Sequence, residues 1–451
     1  MIRYHARWVI PVGAPPFEHG TVAVDDGRIQ YVGPRPAAPR GDDAELGNAV
    51  VMPGLVNTHT HLELTALRGF LEDLDFARWI MRLNGVKRAV LDRDRMLDAA
   101  RFGLVEGLRA GITTYADTCD SGVAFDAMLE AGVRGIMFQE VFGPDPATHD
   151  RSLADLADKI AALRPRQTRL VGIGVSPHAP YTVSDALYAA VAGYARRERL
   201  PVAVHIAESE VERELVERGE GIFADGLRRR GIDVGPRGRS SIEILDRSGI
   251  LATRALLIHC VRLDDTDIEL VARHGAPVAH CPVSNAKLGH GTARVLEMLA
   301  AGVTVGLGSD SVASNNRMDM LAEARAAVLA QRARVGKHDV LCARDVLALA
   351  TIGGARALGL DGEIGSLEVG KSADLVAFPL DECSMPVHDP EAAVVFALPG
   401  VAASLVTVAG RELVRNGRVI SVAPGLGARM EETARLMREW ALAGANETVP
   451  R

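Results

Sequence analysis

The sequence predicts an α/β protein: a (β/α)8, TIM-like barrel carrying a small β-sandwich domain formed by both chain ends. Three observations point there. Between Val51 and Asp310, eight short apolar runs end in polar residues and alternate with segments of helical periodicity. The runs are apolar on both faces, as strands covered by helices must be. The first fifty residues and the stretch from about Gly362 to Val422 read instead as short strands joined by turn residues. Residues 1–50 and 361–425 are therefore assigned to the two parts of the small β domain, 51–360 to the barrel, and 426–451 to a C-terminal helix and tail.

Taken in order, TVAVDDGRIQYVG is two strands about a DDGR hairpin signal. The barrel strands are VVMPGLVNTHTH, ITTYAD, RGIMFQEV, LVGIGVSPH, PVAVHIAES, ALLIHC, APVAHCP and VTVGLGSD. Eight such units over about 260 residues match a closed barrel, whereas a doubly wound sheet usually needs fewer strands. Between them Asp92–Ala110, Val183–Glu198 and Met318–Val335 carry apolar residues three and four apart with charges between, so their Met and Leu positions belong to the core. GSLEVGKSADLVAF, with the AGRE and RNGR turns, returns the chain to β structure. Ala392–Gly410 carries no charge and nearly reaches bilayer-spanning length. Pro399-Gly400 interrupts it, and SLVTVAGRELV reads as strand, turn and returning strand, so no membrane span is expected. A helix over Ala428–Leu442 closes the chain.

The composition, 451 residues with 48% hydrophobic and 24% charged, supports one large domain plus something smaller. Lys+Arg 51 against Asp+Glu 58 gives a net charge of -7, with no basic cluster to neutralise a row of phosphates, so nucleic acid is not an expected partner. The 5 cysteines are widely spaced, odd in number and without C-x-x-C, which fits reduced thiols in a cytoplasm. The start, MIRYHARWVIPVGAPP, lacks the features of a signal peptide. A homo-oligomer is compatible with all of this, and nothing in the composition fixes a number.

In such a barrel, polar residues at the carboxyl ends of strands face a common mouth. The runs end in His59-Thr60-His61, near His178, in His205 to Glu208, His259, His280 and Asp310. Residues two apart on a strand point to one face, so His59 and His61 can share a metal ion. A third strand-end imidazole and an aspartate at the last strand would complete an N₃O set suited to Zn²⁺ or Fe²⁺ with a position left open for water. A metal there is expected to lower the pKa of that water toward neutrality. Expelling ammonia from a ring carbon also requires a carboxyl group that both takes and gives protons. Glu208, three residues past His205, is placed to do this, and Asp310 can orient the water while binding the metal.

PGLVNTHTHLE, SPHAPYTVS, VHIAESEVE, HCVRLDD, HCPVSNAKLGHG and GLGSDSVASNNRMDM resemble, in order, the motifs of the ATZ/TRZ branch of the amidohydrolase superfamily. That branch includes methylthioadenosine/S-adenosylhomocysteine, aminofutalosine and guanine deaminases. The resemblance implies that His59, His61, His205 and Asp310 bind one divalent metal ion, zinc with iron as the alternative. It further implies that Glu208 shuttles protons, His259 holds and polarises the attacking water, and His178 touches the substrate. His280 is a further substrate-side candidate; Ser284 and Asn285 read as loop-shaping. No lysine appears in LVGIGVSPH, where two-metal members carry a carboxylated one. The separate H-x-E with P-C-x-x-C deaminase design is half missing: His61-Leu-Glu63 is present, but Cys281-Pro282 runs in the wrong order.

The expected function is hydrolytic deamination of an aminopurine or adenosine-like small molecule. HTHLELTALRGF and FQEVFGPDP resemble the aminofutalosine branch more than the methylthioadenosine one. Triazine dechlorination, or opening of a cyclic amide or imidazolone, is the alternative in the same site, and a non-catalytic scaffold the remote one. The segment Glu63–Leu83 reads as a long loop in which Phe70, Phe76, Trp79 and Met81 line a pocket or pack on the mouth. Glu63 serves the substrate pocket or is structural, and Arg68 and Arg82 are candidates to meet a distal carboxylate.

Overall fold

The computed structural model describes residues 1–447. All eight expected barrel runs are strands, gathered in two four-stranded parallel sheets. One runs Leu55–Thr60, Ile112–Cys119, Arg134–Val141, Val171–Pro177, and the other Ala203–Ile206, Leu256–His259, Val278–His280, Val305–Leu307. Backbone contacts cross both seams. Val175 and Val202 form a parallel bridge and His205 N–H donates to His178 O at 2.9 Å. On the opposite side Asp310 N–H donates to His59 O at 2.9 Å. The ends of the first and last strands thereby meet, which is what brings their side chains together.

Helices cover these strands, and their ends are set by side-chain caps. Arg93–Arg109 starts where Asp92 accepts from Arg95 N–H at 2.9 Å, and Asp185–Glu198 where Ser184 accepts from Leu187 N–H at 3.3 Å. Met320–Val335 starts at Asp319, which accepts from Leu321 and Ala322 N–H.

Both chain ends share one nine-stranded sheet. Ile2–Val9 pairs with Phe17–Asp25 and with Ala49–Pro53, and Ala49–Pro53 pairs antiparallel with Leu375–Pro379. VVMPGLVNTHTH is thus two strands, not one: Ala49–Pro53 stays in this sheet and Leu55 opens the barrel strand. Gly54 makes the break possible, because a Cβ there would lie 2.2 Å from Thr113 Oγ1. The three hairpin signals hold, with left-handed φ at both central residues: Asp26 and Gly27, Ala409 and Gly410, Asn416 and Gly417. Arg134, in a barrel strand, donates to Asp374 Oδ2 at 2.7 Å and Ser372 Oγ at 2.9 Å, a buried ion pair that ties the two sheets together.

Two segments depart from expectation. Glu63–Leu83 is not a loop: it holds the 3-10 helix Leu62–Leu67 and the start of an α-helix, Phe76–Val90, capped by Asp75. Its apolar positions Trp79, Leu83, Val86 and Val90 recur at helical spacing and pack with Leu64, Leu67 and Met437, although only Val86 of the helix is fully buried. The uncharged segment starts inside a helix, Pro390–Ala397, begun by Asp389, and runs on into the expected strand, turn and strand over Leu405–Val408 and Arg411–Arg415. No helix among the described residues is long and apolar enough to cross a membrane. The last helix, Leu426–Glu447, is longer than expected; the tail at 448–451 lies outside the described residues. All 5 cysteines are free.

Candidate active site

His59 and His61 turn into the mouth together, rings edge to face with centroids 4.8 Å apart. His205 joins them, 4.8 Å from His59 and stacked 5.3 Å from His61. The Nε2 atoms of His61 and His205 lie 3.2 Å apart. His61 Nδ1 is 2.9 Å from Thr118 O, and His205 Nδ1 is 3.2 Å from His178 O. Carbonyl oxygens only accept, so in the neutral rings the protons sit on Nδ1 and both Nε2 atoms carry lone pairs. Two lone pairs at this separation repel unless a cation lies against them. Asp310 Oδ1, 3.2 Å from His59 Nε2 and 3.7 Å from His61 Nε2, adds a carboxylate oxygen. Burial drives the rings toward the neutral form a metal requires, His61 down to about 3 and His205 well below the ordinary imidazole range. Ligand atoms of His59, His61 and His205 lie within 4.8 Å of one another, as do those of His59, His259 and Asp310. The donor set fits one divalent cation.

Strained backbone is concentrated at these strand ends. Asp310, His259, Cys260 and Ala207 all have left-handed φ, 56°, 75°, 51° and 50°. Gly308 must be glycine, because a Cβ there would lie 2.9 Å from His59 Cβ. Asp310 Oδ2 accepts from Ser284 Oγ at 2.5 Å and Ser314 Oγ at 2.9 Å, so Ser284 does more than shape its loop. Burial alone would raise the Asp310 carboxyl, but the hydrogen bond with His59 and the surrounding imidazoles hold it well below the usual range.

Glu208 lies in a turn whose backbone is held by the buried Glu212, which accepts from Ala207 N–H at 2.7 Å and Glu208 N–H at 3.1 Å. Its Oε1 is 3.5 Å from His259 Nε2 and 3.4 Å from His290 Nε2. His259 is aimed by Asn285, whose Oδ1 lies 3.0 Å from Nδ1. Burial would push the Glu208 carboxyl up; His259 and His290 outweigh it and hold it ionised, below its ordinary value. Glu208, His259 and Asp310 thus converge with the three metal-candidate imidazoles.

The remaining candidates divide. His178 borders the cluster, its ring 4.8 Å from His205, and burial lowers its imidazole to about 4. His280 is buried with neither ring nitrogen partnered and is lowered by burial to about 3. Glu63 is buried and consumed by local partners: Lys87 Nζ at 2.5 Å, Cys119 Sγ at 3.1 Å, and the Ser121 hydroxyl and N–H. Arg68 pairs with Glu106 rather than with any member of the cluster. Arg82 lies over the Phe70 ring at 4.7 Å. Phe76 and Trp79 stack at 6.2 Å and extend into an aromatic wall. Tyr181 and Phe223, 4.2 Å apart, complete it, with Phe76 edge-on to His290 at 4.6 Å.

Sequence reasoning passed over Glu212, His290, Ser314 and Glu140. Glu212 carried a signal, since Ser209 and Glu212 have the spacing of a helix-start capping pair. His290 follows a helix rather than a strand, so the strand-end rule did not reach it. Glu140, at the end of Arg134–Val141, satisfied that rule and was read only as part of its strand.

An amidohydrolase family model matches residues 50–413. The chain belongs to the amidohydrolase family. It is 35% identical to the 5-methylthioadenosine/S-adenosylhomocysteine deaminase of Moorella thermoacetica, over 91% of this chain and 93% of that one. It is 36% identical to the protein of the same name from Desulforudis audaxviator, over 96% and 98%. A 5'-deoxyadenosine deaminase of Methanopyrus kandleri is 32% identical over 89% and 90%. Among solved structures, a zinc-bound adenosine deaminase from Xanthomonas campestris superposes with a TM-score of 0.85 at 29% identity, covering 97% of this chain and 98% of that chain. The zinc complex of an atrazine chlorohydrolase from Arthrobacter aurescens gives 0.82 at 25%, covering 97% and 100%. The amidohydrolase described here is accordingly an enzyme, a hydrolase of the kind that acts on C–N bonds, with an α/β fold of parallel strands.

Proposed function

We propose that this amidohydrolase deaminates an adenosine-like nucleoside in the mouth of a closed eight-stranded barrel spanning about residues 51–360, with the two chain ends, 1–50 and 361–425, forming its small β domain. The observation that carries the reading is an ionised, buried carboxylate, Glu208, held between two imidazoles beside a cation-fitting cluster and an aromatic wall. His59, His61, His205 and Asp310 would hold the metal, for which zinc is the leading assignment. When bound, the divalent cation supplies Lewis acidity that lowers the pKa of a water toward neutrality.

The chain's own groups do the rest. His259 Nε2 holds the attacking water within reach of Glu208. Glu208 takes a proton from that water and passes it to the ring nitrogen beside the amine-bearing carbon, then takes the remaining proton of the newly added hydroxyl and gives it to the departing nitrogen; the C–N bond breaks as the oxo group forms, so that amine and water become oxo product and ammonia. The aromatic wall takes the planar base by stacking, and the low dielectric of the buried mouth strengthens each charge contact.

The finer substrate assignment is aminofutalosine, supported by HTHLELTALRGF and FQEVFGPDP, while the relatives' names favour methylthioadenosine, S-adenosylhomocysteine or 5'-deoxyadenosine. A spectroscopic screen over these compounds, adenosine and guanine, with ammonia assayed in parallel, tests both levels. Ammonia release from one or more is the expected result. Release from none, alongside triazine or cyclic amide hydrolysis, sinks the deaminase reading.

A further inference from the structure

Glu140 ends the barrel strand Arg134–Val141, in ladder register with Ser176 of the neighbouring strand. It shares the face of Phe138, which packs in the cluster containing Ala116, Ile258 and Ala279. Its side chain is 6% exposed, and Oε1 has no hydrogen-bond partner. Most buried carboxyl oxygens are hydrogen-bonded; here Asp117 Oδ1 and Glu363 Oε2 are the other exceptions among the described residues, and Glu140 is the one that faces a site imidazole, His178, across a gap.

What lies opposite defines the ligand that gap would take. His178 Nε2 is 3.9 Å from Glu140 Oε1, too far for a direct hydrogen bond. His178 Nδ1 is 2.8 Å from Thr182 Oγ1, whose own hydrogen goes to Ala179 O at 3.1 Å. Thr182 therefore accepts, the His178 proton sits on Nδ1, and the neutral ring offers Nε2 as an acceptor. Glu140 Oε1 and His178 Nε2 thus face one gap without bonding each other: the imidazole nitrogen accepts, and the carboxyl, which burial raises to about 8, offers one O–H and one acceptor oxygen near neutrality. Such a pair suits a ligand with two adjacent hydroxyls, each able to donate and to accept.

We propose that Glu140 and His178 together bind the vicinal 2'- and 3'-hydroxyls of a ribose, His178 Nε2 accepting one O–H and the Glu140 carboxyl hydrogen-bonding the other hydroxyl, which makes Glu140 a specificity-determining residue. The assignment rests on the nucleoside reading above. It places the sugar between the metal-side imidazoles and Phe142, whose ring lies 5.0 Å from His178, and leaves the base to the wall of Tyr181 and Phe223.

The test compares adenosine, 2'-deoxyadenosine and 3'-deoxyadenosine with the metal-loaded wild type, Glu140→Leu and Glu140→Gln, measuring kcat and KM separately, binding by calorimetry, and metal content. In the wild type, loss of either hydroxyl should raise KM by about 10- to 100-fold, the worth of a hydrogen bond to a charged or buried acceptor. Glu140→Leu should abolish most of that discrimination with kcat and metal content little changed, and Glu140→Gln, which keeps one acceptor, should restore part of it. A wild type that turns over adenosine but is indifferent to the hydroxyls overturns this proposal while leaving deamination intact, and needs no variant to fold. Undiminished discrimination in Glu140→Leu, or loss of metal from it, overturns it too. Neither binding nor turnover of any of the three by the wild type removes the adenosine-like reading and this one with it.

Discussion

Glu63 and Glu208 are both buried, 2% and 4% exposed, and both follow a barrel-strand histidine closely in sequence, yet their surroundings are opposite. Glu63 receives Lys87, Ser121 and Cys119 as donors, a nearly saturated carboxylate that pins the helix Phe76–Val90 to the end of the second barrel strand. Glu208 meets only two imidazole nitrogens, each beyond 3.3 Å, so its oxygens stay available. A carboxylate whose lone pairs are filled by the fold is structural. One held ionised but underfilled can accept and return a proton. Both sit in an H-x-x-E or H-x-E pattern, so the difference lies in the partners and not in the local sequence.

The largest effects should fall on the Glu208 side. Glu208→Gln should keep metal and fold while turnover drops by several orders of magnitude, since a general acid–base group contributes about 10² to 10⁴ and this one acts more than once. Near-normal rates in a steady-state assay would erase the contrast. Asp310→Ala and His205→Ala should lose metal along with activity; elemental analysis showing full loading in either would remove that residue from the ligand set.

Glu63→Gln should behave in the opposite sense. Breaking the buried pair leaves Lys87 unpaired and should cost about 3 kcal/mol in a denaturant titration. Its loss in kcat should be far smaller than that of Glu208→Gln. A stable variant with Glu208-like loss of turnover would show Glu63 to be part of the chemistry.

The smallest expected effect concerns pH and a third carboxyl. Burial pushes Glu140 up from 4.5 to about 8, so between those values the folded chain holds a proton that the unfolded chain has released. Its stabilisation is present below pH 4.5 and lost as pH rises through 8, by at most about 1.4 kcal/mol per pH unit. His61, lowered from 6.5 to about 3, has the reverse sign, its contribution being lost as pH falls from 6.5 through 3. For the metal-free protein, unfolding midpoints between pH 6.5 and 8 should decline less steeply in Glu140→Leu than in the wild type. Equal slopes would mean that Glu140 is ionised in the fold.

Much of the architecture was legible in order along the chain. The eight runs, the three left-handed hairpins, the helical segments between the runs, and the placement of His59, His61, His205, His259 and Asp310 at strand ends all follow from periodicity and turn chemistry. These are properties of neighbours within a few residues. The helix Phe76–Val90 escaped because its apolar stripe is short and, Val86 apart, only half-buried, and the break at Gly54 because two consecutive strands, both buried, form one apolar run.

The chain by itself determined which residues stand at the carboxyl ends of the parallel strands, because strand alternation and strand ends are local. Only the tertiary structure decided what each does there. Glu63 finds Lys87 and Ser121, Arg68 finds Glu106, Glu208 finds His259 and His290, and Glu140 finds no donor at all. The function of a buried polar group depends on whether its hydrogen bonds are filled, and the groups that fill them come from elements tens of residues away.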